Sequence, residues 1–464
     1  MNRTIPAWWG IPLGVAIGLL GARLALGPRL LARSPAPGAS ASASSELRLT
    51  FNQPMEPASV SKRLHLSPPV DGELRWEGRT LIFRPDRGWP AGETIEVRLE
   101  AGARSLSGLA TWFASSWRFS LRAARLAYLW PAGEPPDIYA LLPSGDAPER
   151  LTSVGGVQDF TPGARGTELA YTVEGADGRT ELHAVRIDTG VDRLLFRCPE
   201  GERCSSAAIS PDGELLAFVR GPGEQGGGSL AVPGRTRIWI LETDTGSVHS
   251  VSAEGNTSLA PFWSPQGWLT YVDTTQAALV VVSVADPQAV EPLGAVPSSL
   301  GERGVWSPDG TYLVYPDLLF SSDDEVEGEG AGALEAHLYR WEPETGALMD
   351  LSLAAGARVE DGAPTFSPDG EWIVFGRRVL AAGQWTPGRQ LWRMRLDGSQ
   401  AEALSDESFI NHGAPVWSPD GDRLAYLRYN VEAPLEPAEV WLFDLGRRQG
   451  SQAVVGGYAP TWIP

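Results

Sequence analysis

The sequence predicts an all-β protein: an N-terminal transmembrane helix, a small β-sandwich, then a seven-bladed β-propeller closed by the C-terminal strand. Three observations carry this. Glycine (53) and proline (38) together make about one residue in five, a turn density that suits many short strands. Residues 46–122 alternate apolar and polar side chains between turn signals. From residue 125 to 464 a Ser-Pro-Asp-Gly turn recurs about every 50 residues, the length of a propeller blade. Six or eight blades are the alternatives.

The chain has 464 residues, 42% apolar and 20% charged, enough to bury a sizeable core. Its formal charge is −19, with +3 on residues 1–46 and −22 on the rest. An acidic body repels phosphate backbones, so no nucleic-acid partner is expected. The one lysine, Lys62, follows Ser61 with no glycine loop, which excludes a Walker-type phosphate site. Two cysteines cannot build a four-ligand zinc site, and no histidine lies near them in sequence. The five histidines (His65, His183, His249, His337 and His412) form no His-Glu-x-x-His motif, and no Gly-x-Ser-x-Gly elbow occurs. No cofactor is expected, and the chain is expected not to be an enzyme.

Residues 1–33 read as a membrane anchor or signal segment. Residues 5–22 carry no charge, the minimum for a span, and Trp8 and Trp9 suit a membrane interface. A retained anchor is the expected reading. A cleaved signal, with small residues at Ala41, Ser42 and Ala43, is the alternative. Arg3 precedes the run and Arg23, Arg29 and Arg33 follow it, which alone would keep the body cytoplasmic. The domain types and the cysteine pair favour an extracytoplasmic body. Residues 34–45, rich in Pro, Ala and Ser, read as a linker.

In residues 46–122, Leu47-Arg48-Leu49-Thr50-Phe51 and Ile95-Glu96-Val97-Arg98-Leu99 alternate as half-buried strands. Four features make this module resemble the bacterial Ig-like domain of the surface-layer type. They are Phe51-Asn52-Gln53-Pro54-Met55, the strand end Phe83-Arg84-Pro85, the turn Gly92-Glu93-Thr94, and Ser107-Gly108-Leu109. The resemblance implies a spacer or adhesive unit outside the cell.

In residues 125–464 the turn Ser-Pro-Asp-Gly begins at Ser210, Ser307, Ser367 and Ser418, with a variant at Ser264 and a degenerate copy at Thr161. Proline presets the first turn angle, aspartate bonds local backbone and glycine takes the positive φ that closes a hairpin. Apolar strands flank each turn, and a third strand follows, as in Ile238-Trp239-Ile240 and Val440-Trp441-Leu442-Phe443. The tryptophans read as packing between blades. The repeat resembles the TolB-like family of propellers, which implies extracytoplasmic binding or scaffold proteins, or the propeller halves of some peptidases. No hydrolase half is recognisable after the repeat, so the peptidase activity is not expected to carry over.

Pro460-Thr461-Trp462 matches Pro415-Val416-Trp417, and Arg125-Leu126-Ala127-Tyr128-Leu129 is identical to Arg423-Leu424-Ala425-Tyr426-Leu427. The last strand should therefore complete the first blade, removing free edges.

Elaborate loops fall at one end of the blades, which is where a partner should dock. The binding candidates there are Trp385, Glu360, Asp361, Phe409 and His412. Cys198 and Cys204 are expected to pair as a disulfide if the body is exported. Asp323, Asp324 and Glu325 are weak Ca²⁺ candidates without the spacing of a calcium loop, so a solvated loop is expected. The expected function is a membrane-anchored, non-enzymatic envelope binding or scaffold protein, its partner an envelope protein or glycan. The alternative is an envelope hydrolase of glycan or peptide with a site assembled from propeller loops.

Overall fold

A computed structural model describes residues 27–463, apart from 42–44, 86–88, 91, 144, 146, 164–165, 176, 224–234, 320–334, 354–357 and 382. The chain divides into two compact units, residues 1–122 and 123–464.

The first unit is a sandwich of two four-stranded sheets. One runs Leu30–Ser34, Leu47–Phe51, Thr80–Pro85, Gly72–Glu77; the other runs Ser40–Ala41, Ser115–Leu121, Thr94–Leu99, Leu64–Ser67. The inward positions of the alternating strands make its core. Leu47, Leu49, Phe51, Leu81, Ile95 and Val97 are fully buried, with Trp89 packed edge-on against Phe119.

Two corrections follow. The expected transmembrane helix is not found: no helix among the described residues is long and apolar enough to cross a membrane. Residues 5–22, on which that expectation rested, lie outside the described residues. The stretch read as anchor end and linker is partly sandwich instead. Leu30–Ser34 pairs antiparallel with Leu47–Phe51, and Ser40–Ala41 pairs parallel with Ser115–Leu121. Side chains hold this segment too: Trp117 Nε1 donates to the Pro35 carbonyl at 3.0 Å, and Arg33 lies over the Trp117 ring. A segment poor in apolar residues folds here because a ready sheet edge satisfies its backbone.

The second unit holds seven four-stranded blades among the described residues; one bridge, Ala336 to Glu360, joins the fifth and sixth into one sheet. The inner strands are Tyr458–Ile463 in blade 1, Val157–Pro162 in blade 2, Glu202–Ile209 in blade 3 and Ser258–Trp263 in blade 4. Val305–Trp306, Val359–Phe366 and Ile410–Trp417 serve blades 5, 6 and 7. Blade 1 takes its inner strand from the C-terminus and its other strands from Arg125–Trp130 onward, so the ends of the repeat hydrogen-bond to each other.

The hairpin after the inner strand of blades 3, 5, 6 and 7 is built by its serine as well as by Pro, Asp and Gly. Ser307 Oγ donates to Asp309 at 2.5 Å and accepts the Tyr312 N–H at 2.9 Å, while Gly310 closes the turn at φ +75°. The same bonds recur at Ser210, Ser367 and Ser418. Three inner-strand tryptophans cross to the preceding blade, while Trp417 Nε1 donates to the Gly421 carbonyl of its own turn. Trp263 Nε1 donates to the Ala208 carbonyl, Trp306 Nε1 to Thr270 Oγ1 and Trp462 Nε1 to the Val416 carbonyl. Five inner strands also carry a bulge whose non-glycine residue has positive φ: Ser206, Ala260, Ala363, Ala414 and Ala459. Four of these residues precede proline.

Candidate functional site

Strands within a blade are antiparallel, so second-to-third connections and the loops entering the inner strands open at one end of the ring. That end carries a chain of ion pairs across blades 6 and 7. Glu360 accepts from Arg378 at 2.8 Å and also from Arg389. Glu407 accepts from Arg428 at 2.7 Å, and Arg428 reaches Glu439 at 3.2 Å while lying over the Trp441 ring. Burial works to raise the Glu407 pKa, but the hydrogen bond and charge of Arg428, together with His412, outweigh it and hold the carboxylate below its usual range.

Asp361 is fully buried. It accepts Arg377 Nε at 2.7 Å and Nη2 at 2.6 Å, and Ser352 Oγ at 2.6 Å, with Arg377 stacked on Phe375 and Trp392. This is an internal brace, fully buried and closed to solvent. His412 is 1% exposed and lies against Tyr426. Its Nδ1 is 3.2 Å from the Arg389 carbonyl and its Nε2 3.3 Å from Glu407. Burial pushes its pKa below the usual histidine range.

Of the residues expected to bind, only Trp385 (61% exposed), Phe409 (48%) and the pair-locked Glu360 reach the surface. Tyr429 and Leu435 are exposed on neighbouring loops of the same end. Gly388 N–H donates to the Ser408 carbonyl and Val431 N–H to the Phe409 carbonyl, tying the loops together. Gly388 is required there, because a Cβ would fall 2.2 Å from the Ile410 carbonyl oxygen. Gln390 clasps the same junction through the carbonyls of Glu407 and Ile410. The organising residues Arg377, Arg378, Arg389, Arg428 and Gln390 escaped sequence reasoning. The one signal was the arginines bounding the 377–389 loop and opening the 428–438 loop.

Cys198 and Cys204 form a disulfide joining the outer strand of blade 2 to the inner strand of blade 3, both fully buried. Asp323, Asp324 and Glu325 lie outside the described residues. Among the described residues no group of three or more His, Cys, Asp or Glu could hold a metal ion. Each described histidine faces a carboxylate: His65 with Glu100, His183 with Glu181 and Asp192, His249 with Glu242, His337 with Asp350, His412 with Glu407. No serine or cysteine is hydrogen-bonded to any of these rings among the described residues.

Residues 26–121 match the bacterial Ig-like domain family. Over 177 residues the chain is 28% identical to an uncharacterized protein of Agrobacterium fabrum, covering 34% of this chain and 50% of that protein. Over 197 residues it is 28% identical to the uncharacterized peptidase YuxL of Bacillus subtilis, covering 37% of this chain and 29% of the peptidase. The chain thus spans half or less of the curated relatives it matches. Among solved structures, TolB from Acinetobacter baumannii aligns with 94% of this chain and 99% of its own, at 11% identity and a TM-score of 0.42. The architecture is a seven-bladed propeller preceded by a module that matches the bacterial Ig-like domain family. The similarity to a peptidase overturns the expectation that the chain is not an enzyme.

Proposed function

We propose that the chain serves peptide hydrolysis outside the cytoplasm, with the loop-rich end of the propeller selecting and holding the peptide. The observation that carries this reading is the 28% identity over 197 residues to a peptidase. The surface chemistry favours peptide over glycan. Glycan cleavage uses two free carboxyl groups facing the bond, whereas Glu360, Asp361 and Glu407 are each tied to arginine. The exposed Trp385 and Phe409 offer apolar contacts for side chains. The Cys198–Cys204 disulfide supports an oxidising compartment. The test is equilibrium binding and turnover, measured together on the purified full chain with short peptides and with oligosaccharides. Peptides bound and cleaved is the expected result. Peptides bound but uncleaved would remove hydrolysis from the reading. Oligosaccharide binding with no peptide binding would overturn it.

A further inference from the structure

The inner strand of blade 5 differs from the other six. It has two residues, Val305–Trp306, where the others have six to eight. Residues 299–304 run off the ladder into that strand. They are pinned by buried Asp317, whose Oδ1 accepts the N–H groups of Ser299 at 2.7 Å and Leu300 at 3.0 Å. Gly304 presses against the second strand, where a Cβ would fall 2.7 Å from the Val314 carbonyl oxygen. Its neighbour Arg303 turns the other way, onto Phe262 of the inner strand of blade 4, with the guanidinium carbon 5.3 Å from the ring centroid. Phe262 belongs to the core between blades 4 and 5. Arg303 therefore sits where the shortened strand leaves a notch in the inner ring.

Arg303 is exposed by surface area, yet enough protein surrounds it that desolvation alone lowers its pKa. Arg303 is thus open to solvent on one side and close to protein on the other. Among the described residues it makes no hydrogen bond or ion pair, whereas Arg377, Arg378, Arg389 and Arg428 at this end all do. The contact with Phe262 holds the guanidinium over the ring and leaves its N–H donors open. A planar fork of that kind matches a carboxylate.

We propose that Arg303 is the anchor for a carboxylate reaching the notch of blade 5, taken as the C-terminal carboxylate of a short peptide. The choice of peptide rests on the function proposed above. The experiment compares N-acetyl-trialanine as the free acid and as its C-terminal amide, each titrated into the full chain by calorimetry. The free acid should bind roughly tenfold or more tightly than the amide. Arg303→Gln should erase the preference and Arg303→Lys keep part of it, with both variants melting like the parent because the side chain is exposed. Equal binding of acid and amide, no binding of either, or a preference that survives Arg303→Gln would overturn the proposal. A preference without cleavage would leave the anchor standing and remove hydrolysis; cleavage without a preference would do the reverse.

Discussion

At Asp361 both carboxylate oxygens are committed, to Arg377 and to Ser352, in a fully buried setting. Removing one charge would leave the other buried without compensation. Asp361→Asn should cost about 3–5 kcal/mol, read as a lowered midpoint in denaturant unfolding; a loss under about 1 kcal/mol would contradict the brace. Two buried histidines should shape the pH dependence in opposite senses. For His337 burial works to lower the pKa, but the hydrogen bond its Nδ1 donates to Asp350 at 2.8 Å and the Asp350 charge, with Asp361 and Glu335 nearby, raise it overall. Its contribution is present below about pH 6.5, the ordinary histidine value, and is lost as pH rises through the raised folded value. His412, lowered by burial, contributes above that ordinary value and loses its share as pH falls toward the lowered one. Melting temperature against pH should therefore lose part of its alkaline slope in His337→Gln and part of its acid slope in His412→Gln. Unchanged slopes would refute both assignments.

The hairpin turn shows what local chemistry reveals in a sequence. Ser-Pro-Asp-Gly was legible because all its bonds lie within six residues, as at Ser307, Asp309 and Tyr312. Ser307→Ala removes the acceptor for the Tyr312 N–H and should cost about 1–2 kcal/mol by thermal unfolding. The bulges at Ala260, Ala363, Ala414 and Ala459 gave no comparable signal, because alanine is not the residue that positive φ favours. Strand Leu30–Ser34 was hidden because residues 30–33 follow an uncharged apolar run and read as the end of an anchor segment. The ion-pair network was hidden by separation: Asp361 meets Arg377 across 16 positions and Glu360 meets Arg389 across 29. The disulfide closes a short loop between blades 2 and 3. Replacing both cysteines with alanine should cost about 2 kcal/mol, measured calorimetrically.

At the scale of the ring, Tyr458–Ile463 is the inner strand of blade 1 and Trp462 reaches back to blade 7. Deleting residues 458–464 bares an inner edge and removes a buried tryptophan typically worth about 3–5 kcal/mol against alanine, a large share of a domain's roughly 5–15 kcal/mol. The truncated chain should melt far lower or aggregate. Removing residues 27–122 should leave the propeller melting unchanged, because that unit supplies no strand to any blade.

The same ring presents Arg303 at the notch of blade 5 and the tied loops of blades 6 and 7 at one end. Hydrogen exchange of the full chain, with and without N-acetyl-trialanine, tests most directly whether that end holds a peptide. The predicted result is slowed exchange in fragments covering residues 299–306 and 408–413. Protection confined to the Ig-like sandwich, or none anywhere at saturating peptide, would contradict it.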